Sequence, residues 1–267
     1  MNKKILYRQS IINYNIDGDS ETPIVLIHGF LEELSIWDDI YKKLSTTNKV
    51  IAVDLPGFGK SESISEIHSM SLMAEVVEKI LNKEAILECI MIGHSMGGYV
   101  CLAFAELFPK KVKGIVLFHS HAAADDGIAK HNRDRTVEII NKNHSNFISA
   151  FIPSLFAEEN IDKYSNEIEN LTKVSLQTDD KGIIAALMGM RDRKGYLEFI
   201  KEIEIPILFI IGKQDSKIPL EIINLQISLP NNSEAIILDN VGHMGFIEAK
   251  EITFATIDSF VSRIQNN

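Results

Sequence analysis

The chain has 267 residues, 45% of them apolar and 24% charged, which is ordinary globular composition and argues against disorder and low complexity. Its 27 Lys and Arg stand against 37 Asp and Glu, a formal net charge of −10. Such a chain repels phosphate backbones, and its densest basic stretch, Lys130 to Arg135, is short and broken by Asp134, so no nucleic-acid partner is expected.

The first ten residues carry two lysines but no signal-peptide core, because Ile5-Leu6-Tyr7 runs at once into Arg8-Gln9. Residues 5–16 are expected to form one or two antiparallel edge strands. Strand candidates then follow at Ile24–Ile27, Val50–Val53, Cys89–Ile92, Ile115–Phe118, Ile207–Ile211 and Ala235–Leu238. All are continuous apolar runs, the pattern of strands covered on both faces in a parallel sheet. Between them lie helical patterns. Met73, Val76, Val77, Ile80 and Leu81 follow a 3.6 period after Ser69 or Ser71 as N-cap. Residues 96–108 are apolar nearly all round, and Phe254, Ile257, Val261 and Ile264 mark a final amphipathic helix. From about residue 122 to residue 200 the chain is polar and helical, too long for a simple crossover. One domain is therefore expected, with a core of residues 1–121 and 201–267 and a helical cap or lid inserted at 122–200. No apolar run approaches the roughly 20 residues of a membrane span. Cys89 and Cys101 sit in apolar surroundings and read as buried thiols, so a soluble cytoplasmic protein is expected.

The chemistry concentrates at strand ends. Cys89 to Val100 reads as a strand entering Gly93-His94-Ser95-Met96-Gly97 and then a buried helix. A serine in a sharp strand-to-helix turn is held in a strained backbone, with its hydroxyl exposed and the helix N-terminus aimed at the same spot. Ser95 is thus the candidate nucleophile. A serine hydroxyl needs a base, and His243 stands in a glycine-flanked loop after the last strand candidate. Asp215, after the strand at 207–211, is the candidate that orients it; Asp125 and Asp126 compete, as does a plain turn or N-cap role for Asp215. Two backbone amides are candidates for an oxyanion hole: Met96, which follows the nucleophile, and Phe30, in the loop His28-Gly29-Phe30-Leu31 after the first parallel strand. His28 reads as a brace for that loop. His119 and His121 at a strand end lack a third ligand with matching spacing, so no metal is expected. Arg191 and Arg193, in the inserted segment with Met188 and Met190, are candidates for holding an anionic group or for surface ion pairs. Trp37 and Phe246 are candidates for the pocket wall.

The order Ser95, Asp215, His243, the His-Gly-Phe loop, the segment Asp54-Leu55-Pro56-Gly57-Phe58-Gly59-Lys60-Ser61 and the Gly-His-Ser-Met-Gly-Gly elbow together resemble the α/β-hydrolase superfamily, and the elbow its esterase-like members. The resemblance covers roughly residues 20–120 and 203–265. It implies an α/β-hydrolase fold with Ser95, Asp215 and His243 as triad and the Phe30 and Met96 amides as hole. Several departures narrow it. The nucleophile is Ser and not Asp, unlike haloalkane dehalogenases and epoxide hydrolases. There is no His-Gly-Gly-Gly motif. Tyr99 stands where the menaquinone-pathway synthase of this fold usually carries Arg. The expectation is a serine hydrolase that cleaves a small carboxylic ester or thioester through an acyl-enzyme, without cofactor, on a substrate with an apolar acyl or alcohol group. A carbon–carbon bond hydrolase, a cofactor-free perhydrolase and a non-catalytic ligand-binding member of the fold are the rivals.

Overall fold

The computed structural model describes residues 1–266. Its eight strands are β1 (Asn2–Tyr7), β2 (Ser10–Asp17), β3 (Ile24–Ile27), β4 (Val50–Val53), β5 (Cys89–His94), β6 (Val112–Phe118), β7 (Ile207–Gly212) and β8 (Ser233–Leu238). They form one sheet in the order β1-β2-β4-β3-β5-β6-β7-β8. β1 and β2 pair antiparallel, β2 joins β4 antiparallel, and every other pairing is parallel. The expected edge strands are therefore present, and the six continuous runs are all strands.

Continuity does reflect burial on both faces for β3, β4, β5 and β7, whose residues are all buried. It fails for β8, where Ile237 is 45% exposed. The reason is position: β8 ends the sheet, with a neighbour on one side only.

Helices α1 (Asp38–Leu44), α2 (Met70–Lys83) and α3 (Met96–Leu107) precede β6 in the chain. Helices α4 (Gly127–Phe151), α5 (Ser165–Ser175), α6 (Asp180–Arg191) and α7 (Leu197–Glu202) occupy the connection from β6 to β7. Helix α8 (Leu220–Ile227) links β7 to β8, and α9 (Gly245–Glu248) and α10 (Lys250–Gln265) close the chain. α3 is buried from Met96 to Ala105, which is why its sequence shows no polar face. α4 is interrupted at Asn143 (φ −166°, ψ 88°), whose side-chain oxygen accepts from the Asn146 N–H and so starts the helix afresh. No helix among the described residues is long and apolar enough to cross a membrane.

Ser69, one of the two expected caps, accepts from the Leu72 N–H at 3.1 Å, with Met73, Val76, Val77, Ile80 and Leu81 of α2 all buried. Ser69→Ala is expected to cost about 1 kcal/mol of stability, read as a lower melting temperature.

The strand order positions the site. The chain leaves β3 for β4 on one side, then crosses to β5 on the other. At such a switch point the loops beyond the C-terminal strand ends splay apart and leave a crevice. The loops that follow β3, β5, β6, β7 and β8 all open at that edge, and the candidate residues lie on them.

Candidate active site

Ser95 sits between β5 and α3 with φ 50° and ψ −115°. Only glycine adopts that region without strain, so the elbow stores energy in the serine backbone. Three bonds hold it there. Ser95 N–H donates to Phe118 O at 2.9 Å, while Ser95 O accepts from Gly98 N–H at 2.9 Å and from Ser120 Oγ at 2.7 Å. A Cβ on Gly93 would lie 2.3 Å from Gly97 O, and one on Gly97 would lie 2.2 Å from Ile27 O. Both glycines are therefore required by close backbone approach, as the motif suggested. Met96 is the first residue of α3, so its N–H is one of the helix's orphan donors.

His243 follows β8 and is buried; its Nδ1–H donates to Asp215 Oδ2 at 2.7 Å. Asp215 accepts more than this one bond. Its Oδ1 takes the backbone N–H of Lys217 at 2.8 Å and of Ile218 at 3.0 Å, and its Oδ2 also takes His119 Nδ1–H at 3.1 Å. Burial pushes the Asp215 carboxyl up, but His243 and His119 outweigh it and hold the group well below the usual carboxylate range. The turn role and the orienting role are thus one role: the amides fix the carboxylate that faces His243. Helix α8 is capped at Pro219, not by Asp215.

His119 is buried beneath the site. Burial lowers its imidazole to about 4, so it is neutral and donates from Nδ1. His119, Asp215 and His243 place their donor atoms within 4.8 Å of one another, a spacing that a metal site shares. Here both Nδ1 atoms are turned to one carboxylate oxygen at hydrogen-bond distances, and the amides fill the other oxygen. That arrangement engages both Asp215 oxygens and both Nδ1 atoms within the protein, while His119 Nε2 is left without a partner among the described residues. His121 lies elsewhere, edge-on to Tyr99 with ring centres 5.3 Å apart.

The loop after β3 carries a feature that the sequence did not reveal. Glu32 is buried, and its Oε2 accepts from Gly29 N–H at 2.6 Å and faces His94 Nδ1 at 2.9 Å. His94 Nε2 faces the carbonyl of His243 at 2.9 Å, with the two rings 4.8 Å apart. Both His94 nitrogens face acceptors, an arrangement that favours the doubly protonated, charged ring. Burial pushes the Glu32 carboxyl up and the His94 ring down. Each partner's charge and hydrogen bond more than offset this, leaving Glu32 below and His94 above their ordinary values. The pair bridges the Phe30 loop to the His243 backbone. Its signal in the sequence was an acid inside the loop expected to meet the elbow, beside a histidine inside the elbow itself. Gly29 serves close approach, since a Cβ there would lie 2.8 Å from Glu32 Oε2. The positive φ of the loop falls on Leu31, at 62°. His28 braces the loop as expected, donating from Nδ1 to Gly29 O at 2.7 Å and accepting Leu55 N–H on Nε2 at 3.0 Å.

Ser95 and His243 line one cavity of about 270 Å³, together with Phe30, Tyr99, Leu155 and Met190. The connection from β6 to β7 therefore supplies part of its wall. Trp37 is not part of that wall. It is fully buried, packed against Phe118 and Phe246 with ring centres 6.0 and 5.6 Å away. Phe246 faces a separate groove. Of the aspartates weighed against Asp215, Asp125 pairs with Arg133 and Arg193, and Asp126 caps α4 by accepting from Ala129 N–H.

Comparison with known proteins agrees with this architecture. A family model described as alpha/beta hydrolase fold matches residues 22–250. The chain is 27% identical over 262 residues to a pimeloyl-[acyl-carrier protein] methyl ester esterase of Wigglesworthia glossinidia brevipalpis, covering 94% of this chain and 97% of that one. It is 29% identical over 256 residues to a 2-hydroxy-6-oxononadienedioate/2-hydroxy-6-oxononatrienedioate hydrolase of Paraburkholderia phymatum, covering 87% and 84%. Among solved structures, a thermophilic esterase of Thermogutta terrifontis, described with malate bound, superposes with a TM-score of 0.92 at 26% identity over 99% of both chains. With the match spanning both sides of the inserted helices and the sheet in the order above, the chain belongs to the α/β-hydrolase fold family and is an enzyme, a hydrolase.

Proposed function

We propose that the chain hydrolyses small carboxylic esters through an acyl-enzyme on Ser95. The observation that carries this reading is that Ser95, strained at its elbow, shares one cavity with an imidazole whose Nδ1–H is tied to a buried carboxylate. That bond fixes the tautomer with a bare Nε2, the form a general base needs. His243 takes the Ser95 proton as the hydroxyl attacks the ester carbonyl. The oxyanion is held by the amides of Phe30 and Met96. His243 then protonates the leaving alcohol, activates water for deacylation, and returns the proton to Ser95. Asp215 stabilises the imidazolium that forms in each half-reaction. No cofactor enters these steps. Residues 122–200 act as a cap that shapes the pocket and limits water at the acyl-enzyme.

Similarity to the methyl ester esterase and to the Thermogutta esterase supports an ester as substrate. The buried free thiols Cys89 and Cys101 fit a cytoplasmic setting. The test is labelling by a fluorophosphonate probe combined with turnover of short p-nitrophenyl esters. Labelling confined to Ser95, with ester turnover that the label abolishes, is the expected result. Labelling without turnover of any ester would favour a ligand-binding member of the fold, and no labelling would remove Ser95 as nucleophile.

A further inference from the structure

The cavity beside Ser95 carries more positive charge than its own acids neutralise. Two cationic side chains line it, Arg133 from α4 and Lys217 from the loop after β7. Arg133 donates Nε–H to Asp125 Oδ2 at 2.6 Å, while Asp125 Oδ1 is taken by Arg193 at 2.5 Å. One carboxylate thus serves two guanidiniums, and one positive charge is left over.

The two arginines differ in what they have to spare. Arg193 is buried, donates to the carbonyls of Met190 at 2.9 Å and Ala123 at 3.0 Å, and lies over the Tyr99 ring at 4.0 Å. It is a strut between the β6 loop and α6. Arg191, the other arginine considered from the sequence, is tied at the surface to Asp134 and Asp192. Neither lines the cavity. Arg133 makes only its Nε bond among the described residues, so its two terminal nitrogens remain available. Lys217 has no carboxylate within ion-pair distance among the described residues; its Nζ donates to Ser154 Oγ at 2.8 Å and lies 5.1 Å from the Phe151 ring centre. The nearby Asp215 has both oxygens engaged by two imidazoles and two amides. Glu32, the one carboxylate that lines the cavity among the described residues, is matched by the His94 imidazolium.

We propose that Arg133 and Lys217 form a subsite for a carboxylate, and that the preferred substrates are esters bearing a free carboxylate, such as half-esters of short dicarboxylic acids. This rests on the ester-hydrolase reading above. A guanidinium presents paired N–H donors that match a carboxylate's two oxygens, and charge-assisted bonds of this kind gain strength where water is scarce. The surrounding chain, at −10, repels anions at long range, so the preference is built locally by these two side chains. The size of the cavity suits an acyl part of a few carbons.

The test compares kcat/KM for monomethyl glutarate and dimethyl glutarate at neutral pH, with O-acetylglycolate and its methyl ester as the pair that places the charge on the alcohol side. The wild-type enzyme is expected to prefer the monoanion in at least one pair by about tenfold or more. Arg133→Met is expected to lower that ratio by most of the tenfold, chiefly through KM, and Lys217→Met by less. Arg133→Lys, which keeps the charge but not the fork, should retain part of the preference. Glutarate is expected to inhibit turnover of p-nitrophenyl acetate competitively in the wild type, a measurement that needs no variant to fold. Equal use of charged and neutral esters without inhibition by glutarate overturns the proposal. So does a ratio unchanged in both methionine variants. If no ester of either kind is turned over, the ester-hydrolase reading fails instead, and glutarate binding by calorimetry still decides the subsite.

Discussion

Ser95→Ala is expected to reduce turnover of short esters by at least about 10⁴-fold while leaving the circular dichroism spectrum unchanged. Without the hydroxyl there is nothing for His243 to deprotonate, and only the proposed hole and substrate binding remain to act on water. A variant that retains wild-type turnover would end the acyl-enzyme reading. The same position offers a stability readout that is separate from chemistry. Alanine keeps the Cβ that makes φ 50° unfavourable, whereas glycine does not. Ser95→Gly should therefore be inactive yet more stable than Ser95→Ala by about 1 kcal/mol, seen in thermal melts. Equal melting temperatures would show that the strain is relaxed in solution.

Glu32→Gln is expected to lower stability by about 2–3 kcal/mol, or roughly 6 °C in melting temperature, and kcat/KM by about tenfold. One oxygen, Glu32 Oε2, now accepts from both Gly29 N–H and His94 Nδ1–H. A glutamine cannot repeat this. With its oxygen at that place, a neutral His94 donating from Nδ1 leaves Nε2 bare against the His243 carbonyl. With its nitrogen there, the Gly29 N–H faces another donor. One bond is lost either way, at the point where the Phe30 loop is tied to the His243 backbone.

The pH dependence of this loss follows from the two shifts. Glu32 is depressed, so its contribution is present above the unfolded carboxylate value and lost as pH falls through the lower folded value. His94 is raised, so its contribution is present below the unfolded imidazole value and lost as pH rises through the higher folded value. The stability gap between wild type and Glu32→Gln should thus be widest at mildly acidic pH, between the ordinary carboxylate and imidazole values of about 4.3 and 6.5, and narrow on both sides. A gap that does not change with pH would show that the pair is not ionised.

Much of the site was legible because each piece is locally encoded. The elbow glycines, the strand runs and the placement of Ser95, Asp215 and His243 just beyond strand ends are all properties of short segments. The Glu32–His94 bridge was not legible, because its members lie 62 residues apart and its third contact, the His243 carbonyl, lies 149 residues from His94. In sequence Glu32 looks like a surface acid beside Glu33. His119 was likewise seen at a strand end, but its burial against Asp215 joins residues 96 positions apart. Of the two roles considered for Arg191 and Arg193, ion pairing holds for both, at the surface for Arg191 and buried for Arg193, and the anion-site role holds for neither. Arg133, some 60 positions earlier, is the arginine on the cavity wall.

Residue order alone determined the class of fold, since continuous β-branched runs separated by amphipathic helices bury both faces of a sheet only in a parallel layered architecture. It also determined where the candidate residues would gather, because loops at the C-terminal ends of such strands open on one edge. The tertiary structure alone decided the charge states and partners inside that edge. Which carboxylate meets which imidazole, which arginine keeps free donors, and which face of β8 stays wet depend on distances between segments far apart in the chain. Electrostatic and hydrogen-bond energies vary steeply with those distances, and the pattern along a single segment does not contain them.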